Sequence, residues 1–261
     1  MSESVLDVSV EDGLAVLTLN RPEAMNALNL DLKRALADWL ARARYDTTLR
    51  AVLLPGNGRA FCAGGDLKEM DPNRSPAEAM RRQDELLRGV YLPLARLPVP
   101  VVAAVNGHAH GGGLSLALAC DIVIAAEGAP MSLGFVQRGL APDCAALYFL
   151  PRLVGTARTK ELVLTARSFR AEEALAMGLI SDVVPADDLA GRARELAGGL
   201  ARGATVALGL AKTLVDQSWT ATLDEFVELE SYSQAVSRST HDHQEGVAAF
   251  LEKRAAAFTG A

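Results

Sequence analysis

The residues best placed to do chemistry are the consecutive glycines Gly111, Gly112 and Gly113, which close the stretch Val101-Val102-Ala103-Ala104-Val105-Asn106-Gly107-His108-Ala109-His110. The apolar run before them reads as a buried strand, and the small-residue segment after them reads as a tightly packed helix. Glycines at such a junction leave backbone N–H groups uncovered, and the first helical turn adds N–H groups with no internal partner. A site of this kind favours negative charge, either a phosphate or an oxyanion developing on a carbonyl oxygen. The Gly-x-Lys-Ser/Thr of phosphate loops is missing, and the triplet does not match the spaced glycines of a dinucleotide site. A purely structural alternative is that the glycines only permit close helix packing.

A second loop of the same kind is Arg59-Ala60-Phe61-Cys62-Ala63-Gly64-Gly65-Asp66-Leu67-Lys68-Glu69-Met70, which follows the apolar Ala51-Val52-Leu53-Leu54. Two such loops could aim two N–H groups at one oxygen. Asp66 reads as a cap for the segment after its loop, and Asp121 as a structural partner at a strand start. His108 and His110 flank the triplet, so one of them could face a pocket, although packing or solvent is the plainer role. His241-Asp242-His243 lacks further ligands and reads as a polar helix cap, so no metal is assigned.

The chain resembles the crotonase, or enoyl-CoA hydratase/isomerase, superfamily. The matching pieces are Asn20 to Leu28, Ala60 to Met70, Asn106 to Asp121, Gly139 to Asp143, Leu150 to Gly155, Glu173-Ala174 through Ile180, and Glu245-Gly246 through Arg254, in the family's order. The motifs are most similar to epoxyphenylacetyl-CoA isomerase-like and dienoyl-CoA isomerase-like members. The resemblance implies an α/β fold: a right-handed superhelix of ββα units with a C-terminal helical oligomerisation region. It implies oxyanion donors at the amides of Gly65 and Gly112, and an acyl-CoA thioester as substrate, with coenzyme A part of the substrate and no separate cofactor.

The two glutamates by which the family's hydratases activate water fall, position by position, on Ser115 and Phe135. Neither side chain is a carboxylate base. Asp143 instead occupies the position at which the isomerase-like members carry a catalytic aspartate. A lone carboxylate among Phe135, Leu140 and Phe149 would sit in apolar surroundings that suit a general base. The alternative is that Asp143 merely caps the helix starting near Ala145. The favoured reaction is therefore a double-bond shift with Asp143 as base. Hydration by a non-standard base, or acyl-CoA binding without catalysis, stand as alternatives. The resemblance also places coenzyme A against the backbone from Ala60 to Ala63, near Arg21, Lys68 and Lys253, with the acyl side against Gly111 and Phe135.

The elements that must hold these groups are legible in the same way. Val5 to Val10 and Leu14 to Leu19, joined at Asp12-Gly13, read as a hairpin on a half-buried sheet. Leu28, Leu32, Leu36, Trp39 and Leu40 share one face of a helix running towards Tyr45. Ser75-Pro76 opens a helix expected to reach about Leu97. Strands alternating with helices as far as Ile124 predict a largely parallel sheet. Helices are expected over 145–153, 157–165, 171–177, 187–202, 204–218, 223–237 and 243–258, with a short extended piece at 181–184. The composition shift near residue 195 divides a spiral core, residues 1–195, from a helical C-terminal trimerisation region, residues 196–261.

A chain of 261 residues that is 50% hydrophobic can bury a sizeable core. Its net charge of -6 disfavours a nucleic-acid partner. Cys62, Cys120 and Cys144 read as reduced, buried thiols. The acidic start Met1-Ser2-Glu3-Ser4 and the absence of a bilayer-length apolar run point to the cytoplasm and away from a membrane. A homotrimer, or a hexamer built from two trimers, is the assembly that the resemblance implies.

Overall fold

The computed structural model describes residues 4–71 and 73–261; the acidic residues Met1 to Glu3 lie outside them. The strands are β1 (Leu6–Glu11), β2 (Leu14–Leu19), β3 (Ala51–Pro55), β4 (Ala60–Cys62), β5 (Val101–Val105), β6 (His108–His110), β7 (Ile122–Ala126), β8 (Pro130–Ser132), β9 (Ser168–Arg170) and β10 (Asp182–Val184). The helices are α1 (Leu30–Ala43), α2 (Pro76–Leu86), α3 (Leu92–Ala95), α4 (Gly112–Leu118), α5 (Ala146–Thr165), α6 (Ala171–Ala176), α7 (Leu189–Ala201), α8 (Thr205–Gln217), α9 (Leu223–Arg238) and α10 (His241–Glu252).

The strands form two sheets, ordered β1-β2-β3-β5-β7-β10 and β4-β6-β8-β9. In each of the pairs β3/β4, β5/β6 and β7/β8 the first strand joins the larger sheet and the second the smaller one, and a helix follows. That repetition is the ββα spiral of the crotonase fold. Pairing is parallel from β2 to β10 in the larger sheet, and β4, β6 and β8 are parallel neighbours in the smaller one.

The uncharged runs of β3, β5 and β7 follow from burial on both faces. Val101, Ala103 and Val105 face the main core, whereas Val102 and Ala104 meet Leu189, Ala193, Ala197 and Ala201 on α7. α7 therefore packs on the sheet as part of the core. The hairpin forms as expected, but β1 is an edge strand with only Leu6 buried, so its alternation covers no core.

Asn29 caps α1, its side chain accepting from the Leu32 N–H, and α1 buries Leu32, Leu36 and Leu40; Leu28 lies ahead of the cap. Ser75 caps α2 through the Glu78 N–H. The helix does not run unbroken to Leu97: Leu87–Tyr91 form a π-helical turn before α3. Within α5, Gly155 at φ 74° and ψ 166° breaks the rod, which restores the two helices expected there. The last helix runs from His241 to Glu252 and stops short of Phe258. Among the described residues, no helix is long and apolar enough to cross a membrane.

Candidate active site

Parallel neighbours send their C-terminal ends to the same edge of a sheet, where ligands of α/β proteins bind. Gly65 follows β4, Gly112 follows β6, and Asp143 lies in the longer connection after β8. Three adjacent strands thus deliver the candidate groups to one edge.

The two glycine turns touch. Gly64, at φ 91°, is so close to the second turn that a methyl group on it would lie 2.7 Å from the His110 carbonyl oxygen and 3.3 Å from the Gly112 nitrogen. Gly113 packs directly on the Cys62 carbonyl and leaves no space for a side chain. Leu28 bridges the first turn, donating to the Gly64 carbonyl and accepting from the Asp66 N–H, which leaves the Gly65 N–H on the opposite side. Gly112 is the first residue of α4, so its N–H has no partner within the helix. Among the described residues, neither N–H has a hydrogen-bond partner.

The glycine triplet is held from outside. The Gly111 N–H donates to the Ser132 carbonyl at 2.9 Å, Ser115 Oγ donates back to the Gly111 carbonyl at 3.1 Å, and Tyr91 Oη donates to the Gly112 carbonyl at 2.8 Å. Gly111 stands at φ 51° and ψ -122°, a conformation that side chains resist, with the Phe135 ring 3.6 Å from the space a methyl there would take. Ser115 and Phe135, to which the resemblance assigns the hydratase glutamates, are both buried.

Asp143 is half-buried, and the residue after it, the buried Cys144, meets this wall. The Cys144 thiol lies 3.1 Å, and the Tyr91 hydroxyl 3.2 Å, from where a methyl on Gly112 would sit. Burial pushes the Tyr91 hydroxyl and the Cys144 thiol well up, and the nearby Asp143 charge adds to both shifts. Burial likewise pushes Cys62 up to about 12. All three cysteines are free and buried, as expected of reduced thiols. The cap of α5 is Ala145, with no side-chain cap bond, so Asp143 does not serve the helix in that way. Cys144 and Ala145 both take left-handed backbone, at φ 56° and 58°, which turns the chain sharply between Asp143 and α5. Leu140 is 43% exposed, so the surroundings of Asp143 are more open than its apolar neighbours imply.

Other candidates take different places. Arg21 is committed inward: its guanidinium meets Asp66 at 3.1 Å and donates to the Ala27 carbonyl. Asp66 caps the following turn by accepting from the Lys68 N–H, and Asp121 accepts from the Val101 N–H at 2.7 Å; both have the structural roles expected. Ala60 is fully buried, its carbonyl taken by Asn26 Nδ2, while Ala63 is half-buried. Lys68 is exposed, and Lys253 is the exposed left-handed C-cap of α10.

His108 and His110 both point away from Ala109 on one face of β6, because alternate residues of a strand share a face. They form a chain, His108 Nδ1 to His110 Nε2 at 3.0 Å and His110 Nδ1 to Ser132 Oγ at 2.9 Å. The cap of α10 is Thr240, whereas Asp242 is buried and holds the Thr259 and Gly260 N–H groups. No cluster of metal-ligating residues occurs among the described residues.

Sequence reasoning missed Tyr91 and the fully buried Asn26. Asn26 accepts from the Arg21 N–H and donates to the Asn57 and Ala60 carbonyls, tying the first turn in place. The left-handed pair Met25 and Asn26 was its only signal, and that is visible only in the backbone.

A sequence model of the enoyl-CoA hydratase/isomerase family matches residues 9–261. This chain belongs to that family. It is 42% identical to the 1,2-epoxyphenylacetyl-CoA isomerase of Escherichia coli K12, over all of both chains. Against the 2,3-dehydroadipyl-CoA hydratase of the same organism it is 37% identical, over 98% of this chain and 99% of that one. The crystal structure of an enoyl-CoA hydratase/isomerase from Cupriavidus metallidurans CH34 superimposes with a TM-score of 0.92 at 35% identity, covering 100% of this chain and 98% of that one.

Proposed function

We propose that this family member is an acyl-CoA isomerase. The thioester oxygen sits between the Gly65 and Gly112 N–H groups, and Asp143 takes a proton from one carbon of the acyl chain and returns it to another. The pair of donors lowers the energy of the enolate, each by roughly 3 kcal/mol when well placed. On a 3-enoyl thioester the base removes a C2 proton, the dienolate spreads charge to C4, and the proton returns there to give the 2-enoyl product.

One observation carries this reading. The positions that the resemblance assigns to the two hydratase glutamates hold buried Ser115 and Phe135, while Asp143 makes no cap bond to α5 and precedes Cys144, whose thiol meets Gly112. The 42% identity to an isomerase over the full length supports it. Coenzyme A then runs along the Ala60 to Ala63 edge, with Lys68 and, from a neighbouring subunit, Lys253 near its phosphates. The inward bonds of Arg21 give it a positioning role under that edge. The exposed apolar side chains of the C-terminal helices, among them Leu223, Val227, Tyr232, Phe250 and Leu251, support assembly as a trimer.

A second reading is hydration with Asp143 activating water, favoured by the exposure of Leu140, which leaves that side open to solvent. A panel of 3-enoyl, 3,5-dienoyl and 2-enoyl thioesters in deuterium oxide decides between them. Isomerisation gives double-bond migration and solvent deuterium at C2 or C4. Water addition to the 2-enoyl thioester alone would overturn the isomerase reading.

A further inference from the structure

The geometry points to Tyr91 as a positioning residue of the oxyanion site: its hydroxyl holds the Gly112 carbonyl, with the Cys144 thiol packed beside it, and so fixes the aim of the Gly112 N–H. The proposal rests on the oxyanion reading above and assigns a residue that neither turn contains.

Consecutive glycines have the greatest backbone freedom of any stretch, so a donor built on them needs outside restraint. Gly111 is restrained on both sides, by the Ser132 carbonyl and by Ser115 Oγ. Gly112 has one side-chain restraint, the 2.8 Å bond from Tyr91 Oη to its carbonyl. Tyr91 is 1% exposed, and a buried hydroxyl with no partner is costly, so this bond holds the ring and the glycine to each other.

The hydroxyl reaches Gly112 from the end of the π-helical turn Leu87–Tyr91. Such turns insert an extra residue into a helix and re-aim the side chains beyond it, and they recur at functional sites. The thiol of Cys144 packs beside the Tyr91 hydroxyl on the same face of this glycine, 3.1 Å and 3.2 Å from the position a methyl group would take, and Cys144 directly follows Asp143 in the chain. Donor and base are therefore linked through two contacts on Gly112, from Tyr91 and from Cys144, the residue after Asp143. Both groups hold their protons across the working pH range, because burial raises them. The Tyr91 O–H stays available to donate.

The test uses Tyr91→Phe in the full chain, with Cys144→Ala as an independent arm in case the first variant folds poorly. The expected result for Tyr91→Phe is a kcat lower by about tenfold, the size of one lost hydrogen bond, with KM close to wild type. Cys144→Ala should shift the same way by a smaller factor. A second readout needs no turnover: acetoacetyl-CoA, whose enolate absorbs in the ultraviolet, should show a strong enolate band on wild type and a weakened one on either variant. Binding of saturated butyryl-CoA should be unchanged. An unaltered band and kcat in both variants would overturn the positioning role alone. Absence of the band on wild type would overturn the oxyanion reading and this proposal with it.

Discussion

Gly64 and Gly112 belong to different turns, yet the space for a side chain on the first ends 3.3 Å from the nitrogen of the second. The two candidate donors are thus set by direct backbone contact. Gly64→Ala must fit a methyl 2.7 Å from the His110 carbonyl at a residue whose φ is 91°. Left-handed strain alone costs about 1–2 kcal/mol, and the contact with backbone adds to it. Thermal unfolding should show a loss of at least that size. The turnover rate should fall about 100-fold or more, as when one oxyanion donor is removed.

Asp143→Asn tests the base. The carboxyl makes no cap bond to α5, so the substitution should leave thermal stability unaltered. Acyl-CoA binding, followed by calorimetry, should persist. Isomerase turnover should fall by about 100- to 10,000-fold, the contribution of a general base. Equal activity in the variant would return Asp143 to a structural role.

Much of this arrangement is legible in the sequence. Apolar runs ending in glycines mark both donor turns, and strand–helix alternation marks the spiral. Tyr91 is not legible, because an aromatic residue on an amphipathic helix reads as core; its function depends on a π turn that no local composition announces. The end of α10 is hidden for a related reason. Ala255-Ala256-Ala257 favours helix, but buried Asp242 captures the Thr259 and Gly260 N–H groups and pulls the tail back, so tertiary contact overrides propensity. The facing of His108 and His110 was recoverable from strand geometry alone.

Asp121 and Lys212 tie α8 to the start of β5. Lys212 Nζ lies 2.8 Å from Asp121 Oδ2, which also accepts from the Val101 N–H. Burial raises the Asp121 carboxyl and Lys212 opposes that shift. Lys212→Met leaves the carboxylate, whose side chain is 26% exposed, without its partner and should cost about 1 kcal/mol in urea unfolding. Adding Asp121→Asn should recover part of that loss, because the uncompensated charge is then gone. No recovery would show that Lys212 acts through its aliphatic packing instead.

The His108–His110–Ser132 chain makes stability depend on pH. Burial, then His108, then Arg138 lower the His110 pKa from its usual 6.5. The unfolded chain therefore binds the proton more readily than the folded one. The stabilising contribution is fully present above pH 6.5 and is lost as pH falls through the lowered folded value. Protonating His110 also places a proton on both ring nitrogens, so Nδ1 can only donate to Ser132 Oγ and Nε2 only to His108 Nδ1, while its charge meets Arg138. Thermal unfolding between pH 7.5 and about 5 should show Tm falling with acid. In His110→Gln, which keeps a polar group but cannot titrate, the fall should be shallower. Parallel curves for the two proteins would place the acid sensitivity elsewhere in the chain.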